Sequence, residues 1–340
     1  MKVSGMLGAD LEMAPLAIAA LENQGYDEAF SAEINNEPFF PLILGAEHSE
    51  RIKLTTSISV AFARNPMTMA NLAWDLNQYA RGRFILGIGS QIEPHITKRF
   101  SMPWSRPAAR MREFIMAMRA IWDCWAQEGR DRLDYRGEFY QHTLMTPMFV
   151  PGKREFGAPP VRLAGVGPKM TEVAGQVADG LIAHGFSTPA YMREVTLPAV
   201  TRGLEQSGRS RDGFDISSPV MVVSGDSEES FEQNRQAVRT QLAFYGSTPA
   251  YRPVLDLHGW GELQGHLNRL SKEGKWIEMG EMIDDEMLNT FAVVCENPRD
   301  IAPELNKRYR GLVDTWQCTF MTSDTSLQQD VVRAVQGQQA

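Results

Sequence analysis

The chain has 340 residues, 43% hydrophobic and 22% charged, with 42 acidic side chains against 34 basic ones and a net charge of −8. That balance excludes a chain held on nucleic acid by phosphate neutralisation, which needs a basic excess or stripe, and the apolar content excludes a disordered or fibrous chain. Three cysteines, Cys124, Cys295 and Cys318, stand far apart with no CxxC pair, which argues against a disulfide framework or a structural zinc and suits a reducing compartment. The first residues enter a strand pattern with no apolar leader, and no run of about 18 apolar residues follows, so the expectation is a cytoplasmic chain without membrane or nucleic-acid partners.

Strand-length apolar runs alternate with helical patterns along the chain. Lys2 to Leu7 reads as a first strand, and APLAIAALEN (14–23) as a helix ending at the cap signal Gly25. A second strand over Tyr26 to Ala32 precedes a helix from Pro41 to His48. The β-branched run Arg51 to Ala61 is a third strand, Pro66 to Tyr79 a helix opening on proline, and Arg83 to Ile88 a fourth strand. Between 89 and 160 the rhythm lapses into a long amphipathic helix (Ala108 to Trp125), a hairpin (Leu133 to Gln141) and a loop rich in proline and glycine (147–160). It resumes with a strand at Val161 to Val166, a helix at Pro168 to Val177, a strand at Gly180 to His184 and a helix at Tyr191 to Ser207. A seventh strand (Asp215 to Ser224) and a helix (Glu228 to Tyr245) lead to a second irregular stretch, 246–290, then a helix (Asp300 to Arg310) and a last strand (Val313 to Phe320).

Eight strands separated by helices point to an α/β fold whose right-handed crossovers close into a (β/α)8 TIM barrel. The alternative is a doubly wound open sheet with a separate substrate domain. Neither insertion contains a complete βαβ unit, which favours one barrel domain over 1–340, with insertions after strand 4 (about 89–160) and strand 7 (about 246–290).

Chemistry in a barrel sits where strands end. Gly165-Val-Gly-Pro-Lys169 joins a strand end to a helix start, so free backbone N–H groups, the helix dipole and Lys169 make a candidate anion site; an ordinary βα turn explains the same residues. Gly87-Ile-Gly89 lacks the third glycine of a dinucleotide fingerprint and better suits close backbone approach to a flat ligand. Glu33 and Glu37 follow the second strand and are either acid–base groups or solvated carboxylates. His95, in a polar loop, is a candidate proton donor, and His184 ends a strand at the mouth. No histidine pair has metal-ligand spacing, so no metal is expected. Trp104, Tyr140, Tyr251, Trp260 and Trp276 in the insertions are either pocket walls or core.

The blocks RIKLTTSISVAFARNPMTMANLAWDLNQYARGRFILGIGSQ (51–91), RMREFIMAMRAIW (110–122) and above all PPVRLAGVGPKMTEVAGQVADGLIAHGF (159–186) resemble the bacterial luciferase-like superfamily, and within it the coenzyme F420-dependent oxidoreductases. FAVVCENPRDIAPELNKRYRGLVDT (291–315) resembles the family's last helix and strand. The resemblance implies a barrel with the cofactor ring in its mouth, backed by a non-proline cis peptide in a bulge after the third strand, at Ser57 and Ile58. It also implies a phosphate cradle at Gly165, Val166, Gly167, Lys169 and Met170, ring or side-chain contacts from Ser90 and Gln91, and His184 and Gly185 nearby. Many relatives carry an Asp-His pair after the second strand; here Glu33-Ile34 keeps the carboxylate and lacks the histidine, with His95 as the nearest replacement.

The implied function is hydride transfer between C5 of the deazaflavin and a small organic substrate, with Glu33 or His95 moving the proton. The rivals are an FMN-dependent monooxygenase on the same barrel and a non-catalytic flavin-binding barrel. The resemblance also implies a homodimer. The acidic chain must supply local positive potential to a phosphate-bearing cofactor through helix N-termini, Lys169 and the candidates Arg64, Lys98 and Arg99.

Overall fold

The computed structural model of the chain describes residues 1–152, 155–320, 322 and 324–337. Nine strand segments form its main sheet, two of them halves of one interrupted strand, which leaves eight strands. They are β1 (Lys2–Met6), β2 (Glu28–Ser31), β3 (Lys53–Thr56, resuming at Ser59–Val60), β4 (Phe84–Gly89), β5 (Val161–Gly165), β6 (Gly180–Ala183), β7 (Asp215–Ser218) and β8 (Thr315–Gln317). All pair in parallel, and β8 joins β7 to β1, so the ring closes as a TIM barrel without a free edge.

Helices α1 (Ala14–Asn23), α2 (Phe39–Glu47), α3 (Pro66–Tyr79), α4 (Pro107–Ala126), α5 (Pro168–Val177) and α6 (Leu197–Gln206) wrap the outside. α3 starts where the Asn65 side chain accepts the Thr68 N–H, with Pro66 in the first turn where its missing N–H costs nothing. The main core lies between strands and helices, where Leu54, Phe84, Leu86, Leu163, Leu181 and Trp316 meet Trp74, Phe114, Trp122 and Trp125. Trp74 and Trp125 pack edge to face at 5.5 Å.

Strand alternation sends every second side chain into the barrel. At the bottom these are Lys2, Glu28, Arg162, Asp215 and Thr315. Arg162 donates two hydrogen bonds to Glu28 (2.6 and 2.7 Å) and pairs with Asp215 at 2.9 Å, while Lys2 and Thr315 also bind Asp215. Glu28 is 0% and Arg162 4% exposed. Burial works against the Arg162 charge, yet Glu28 and Asp215 hold its pKa above the ordinary guanidinium value. Burial likewise raises Asp215, but Arg162 and Lys2 outweigh it and hold the carboxyl below its usual range.

Four departures from the predicted elements have physical causes. The third strand is interrupted at Ser57 and Ile58 and resumes beside Ile88 and Gly89 of β4. The seventh ends at Ser218, because Pro219 cannot donate to the ladder. Val222–Val223 then pairs with Val293–Val294 in a separate two-stranded sheet. The stretch 246–290 is helical, not irregular: after α7 (Glu228–Gly246) come α8 (Arg252–Leu257), α9 (Leu263–Lys272), α10 (Trp276–Glu281) and α11 (Asp285–Phe291). Two of its glycines are caps, Gly259 (φ 78°) and Gly274 (φ 72°), turning left-handed just past α8 and α9. These helices enclose a second apolar cluster with Phe186, Tyr191, Leu267, Met279 and Phe291.

α12 (Ile301–Tyr309) precedes β8, and α13 (Thr325–Gln336), absent from the sequence expectation, follows it. The three cysteines are free and buried, and among the described residues no helix is long and apolar enough to cross a membrane. In the 147–160 loop, a short 3-10 turn at Pro147–Phe149 is formed, and positions 153 and 154 lie outside the described residues.

Replacing Arg162 by methionine strands the Glu28 carboxylate in the barrel floor. The expected loss is about 3–5 kcal/mol, read as a lower denaturant midpoint. An unchanged midpoint would contradict the role given to this ion cluster.

Candidate active site

The mouth of the barrel takes its shape from the break in β3. The Ser57–Ile58 peptide is cis, at the pair the family resemblance points to. The Ser57 N–H donates to the Ser31 carbonyl at 2.7 Å, and the Glu33 N–H donates to the Ile58 carbonyl at 3.0 Å. From the far side of the ring, Gln317 Nε2 donates to Ser57 Oγ at 2.8 Å. Gly87 explains part of the glycine pattern in β4: a Cβ there would sit 1.8 Å from the Thr56 carbonyl oxygen. The close approach expected for Gly87-Ile-Gly89 is thus made by the neighbouring strand, since a Cβ on Gly89 would likewise meet Ile58. Thr56 Oγ1 fastens the two strands, donating to the Gly87 carbonyl and accepting the Gly87 N–H.

Glu33 is buried on this rim and engaged by three donors on one oxygen: Val60 N–H at 2.8 Å, Arg64 at 2.7 Å and Ser59 Oγ at 3.3 Å. The other arm of Arg64, Nη2, donates to both carboxylate oxygens of Glu37, at 2.7 and 3.0 Å. Glu33 and Glu37 are therefore one arginine-centred cluster. Arg64, expected to lend positive potential, has its charge answered by two carboxylates.

The β5–α5 turn is different in kind. Gly167 is the N-cap in extended conformation (φ −75°, ψ 155°), no side chain caps α5, and no acidic residue stands in its first turn. A Cβ on Gly167 would meet nothing within 4 Å, and Lys169 is exposed beside it. Backbone N–H groups facing open space at a helix N-terminus, with an ammonium alongside, have the chemistry of an anion site. Gly165 and Val166 lead into this turn, and Met170 lies in the first helical turn. This donor set fits a phosphate-bearing group.

Ser90 and Gln91 follow β4, and Gln91 adopts positive φ (58°). Gln91 Oε1 lies 3.1 Å from His95 Nδ1, and His95 begins an exposed π-type turn, His95–Arg99, whose Lys98 and Arg99 are exposed too. The same turn reaches back towards Glu33, since Arg99 Nη2 donates to the Ile34 carbonyl.

His184, at the end of β6, is enclosed by aromatic rings: Tyr245 and Tyr251 each have centroids 4.6 Å from its own. The Phe186 N–H donates to His184 Nδ1 at 3.0 Å, so the neutral ring carries its proton on Nε2, which faces Tyr251 Oη at 3.3 Å. Burial drives the His184 pKa down to about 4 and pushes Tyr251 up to about 12. Gly185 continues into the loop before Phe186. Of the insertion aromatics, Tyr251 reaches the mouth through His184. Trp260 stacks on His258, Trp104 packs on Phe62, Tyr140 on Phe114, and Trp276 lies near Phe244 on the outer face. Sequence reading missed Gln317, although alternation from Thr315 places it on the inward face. Among the described residues, no group of three or more His, Cys, Asp or Glu could hold a metal ion.

The sequence matches the family pattern described as luciferase-like monooxygenase over residues 6–315. It is 51% identical over 324 residues to an uncharacterized protein of Mycobacterium tuberculosis, covering 95% of this chain and 94% of that one. Identity to the 5,10-methylenetetrahydromethanopterin reductase of Archaeoglobus fulgidus is 26% over 295 residues, 84% and 82% of the two chains. The coenzyme F420-dependent tetrahydromethanopterin reductase of Methanopyrus kandleri shares the fold, with TM-score 0.77 and 18% identity over 98% of this chain and 96% of that one.

Because the His184 pKa is lower in the folded chain (about 4) than its ordinary value of 6.5, the unfolded chain takes up a proton between these values that the folded chain refuses. Stability is expected to fall as pH drops from about 6.5 towards 4, and His184→Asn to flatten that slope. Urea titrations across this range, with nitrogen-15 NMR of the ring, check both the slope and the Nε2–H tautomer.

Proposed function

The chain belongs to the luciferase-like monooxygenase family of oxidoreductases, and from that premise we propose that it is a coenzyme F420-dependent enzyme acting on a small organic substrate. The observation that carries this reading is the uncapped, acid-free start of α5 with Lys169 beside an open barrel mouth. Identity of 26% over 292 residues, 82% of both chains, to a putative coenzyme F420-dependent oxidoreductase of Mycobacterium tuberculosis supports the deazaflavin over FMN. When bound, that cofactor supplies a hydride donor or acceptor at C5 of its ring.

The chain's own work is binding, orientation and proton handling. Backbone N–H groups of the β5–α5 turn and Lys169 receive the phosphate. The Ser57–Ile58 bulge, braced by Gln317, backs the ring, while Ser90, Gln91, His184 and Gly185 border it. Glu33 is neutralised by Arg64, which supports its service as a fixed anion that orders the rim. Among the described residues His95 has no charge pair, and it is hydrogen-bonded to Gln91, which supports it as the group that gives or takes the proton. Two copies pair through α1–α3, where Leu16, Phe40, Ile43 and Leu72 are exposed.

Fluorescence titration of the purified chain with F420 and FMN tests the cofactor. Binding of F420, weakened about tenfold by Lys169→Glu, is expected. Tight FMN binding with none of F420, and oxygen consumption with reduced FMN, would instead identify a monooxygenase; F420 binding without turnover on any substrate would identify a binding protein. Sedimentation equilibrium is expected to give a dimer, and Phe40→Glu a monomer.

A further inference from the structure

Between the ends of β6, β7 and β8 and the inner side of α7 lies a chamber of about 260 Å³ that the cofactor reading leaves unassigned. Its apolar wall is Pro219, Met221 and Val238, and its polar groups are Asn234, Gln241, Tyr245 and Thr319. Among the described residues that line it, no side chain is a carboxylate, an ammonium, a guanidinium or an imidazole. Asn234 donates its amide N–H to the Ser224 carbonyl at 2.9 Å, which leaves its oxygen as an acceptor. The Thr319 hydroxyl donates to the Val220 carbonyl at 3.2 Å and keeps a lone pair.

His184 stands one residue from Gly185 in the chamber wall, but both its ring nitrogens are occupied, by the Phe186 N–H and Tyr251 Oη. Burial keeps it uncharged above about pH 4, and burial also raises the Tyr245 hydroxyl above its usual pKa. A charged guest would therefore lose its hydration and find no counter-charge, whereas a neutral oxygen finds hydrogen-bond partners and an apolar wall.

We propose that this chamber is the substrate subsite and takes a compact, uncharged organic molecule bearing a hydroxyl or carbonyl group, turning away carboxylates and phosphate esters. Its use in turnover rests on the F420 reading; its selectivity does not. A second groove, of about 820 Å³ and lined by Phe244 and Trp276, lies on the outer side of α7, and Ala237 and Gln241 line both spaces. Ala237, the smallest side chain that α7 contributes to the chamber, leaves room there for the body of such a molecule.

The test uses the full-length chain and two probes of matched shape, cyclohexanone and cyclohexanecarboxylate, followed by saturation-transfer NMR. Cyclohexanone is expected to bind at least about tenfold more tightly than the carboxylate, because the latter is desolvated without a partner. Ala237→Phe is expected to weaken cyclohexanone about tenfold, with its melting curve confirming the fold. Gln241→Arg, at an exposed position of the same helix, is expected to raise carboxylate binding about tenfold and keeps the test decisive if the phenylalanine variant fails to fold. Equal binding of the two probes, binding of neither, ketone affinity unmoved in folded Ala237→Phe, or carboxylate affinity unmoved in Gln241→Arg overturns the proposal. F420 titrated into the same samples reads the cofactor separately: ketone selectivity without F420 binding removes the F420 reading and leaves the chamber.

Discussion

A closed ring of parallel strands satisfies every internal backbone partner but creates an interior that only side chains can fill, and the whole molecule depends on how that interior is filled from bottom to top. At the bottom it is filled by charge. Glu28, Arg162, Asp215 and Lys2 form a compensated cluster from strands far apart in sequence, so the floor is shut by an arrangement in which each ion needs the others. Above it come small polar residues, including Ser4 and Ser217, and then the layer of Ser57 and Gln317. Met6, inward-facing and 54% exposed, marks where filling stops and the mouth begins.

The rim inherits its differences from what each strand does as it ends. β3 breaks, and its two halves are held by Thr56 on Gly87 and by Glu33 on Val60. β5 ends in a turn that leaves helix donors uncovered, and β6 ends in a histidine whose tautomer is set by a backbone N–H. Charge is thus distributed by position: answered at Glu33 and Arg64, exposed at Lys169, and not supplied by the described side chains that line the β6–β8 chamber. On the proposed reading, that difference would separate a place for an anionic group from a place for a neutral one.

Much of this was legible in the sequence, for identifiable reasons. Proline at the start of α3 and α5, β-branched and apolar runs in the strands, and the Gly165–Lys169 turn are local signals, and local signals survive without tertiary context. What was not legible depends on partners distant in sequence. Arg64 reads as a spare cation until Glu33 and Glu37 fold against it. Gly87 reads as a ligand contact until β3 lies across it. The helices of 246–290 are too short, and their capping glycines too frequent, to stand out from a loop; it is burial of Leu267, Met279 and Phe291 in a shared cluster that makes them helical. The last helix, α13, is amphipathic but lies beyond the strand that closes the count, so nothing in the rhythm called for it.

The hydrogen bond from Gln317 to Ser57 spans 260 positions, and the pairing of Lys2 with Thr315 closes the ring over an even longer separation. During synthesis, β1 and β7 each expose an unpaired edge until β8 leaves the ribosome, and the brace behind Ser57 does not yet exist. Closure of the barrel in a growing chain therefore arrives late, with the docking of a three-residue strand.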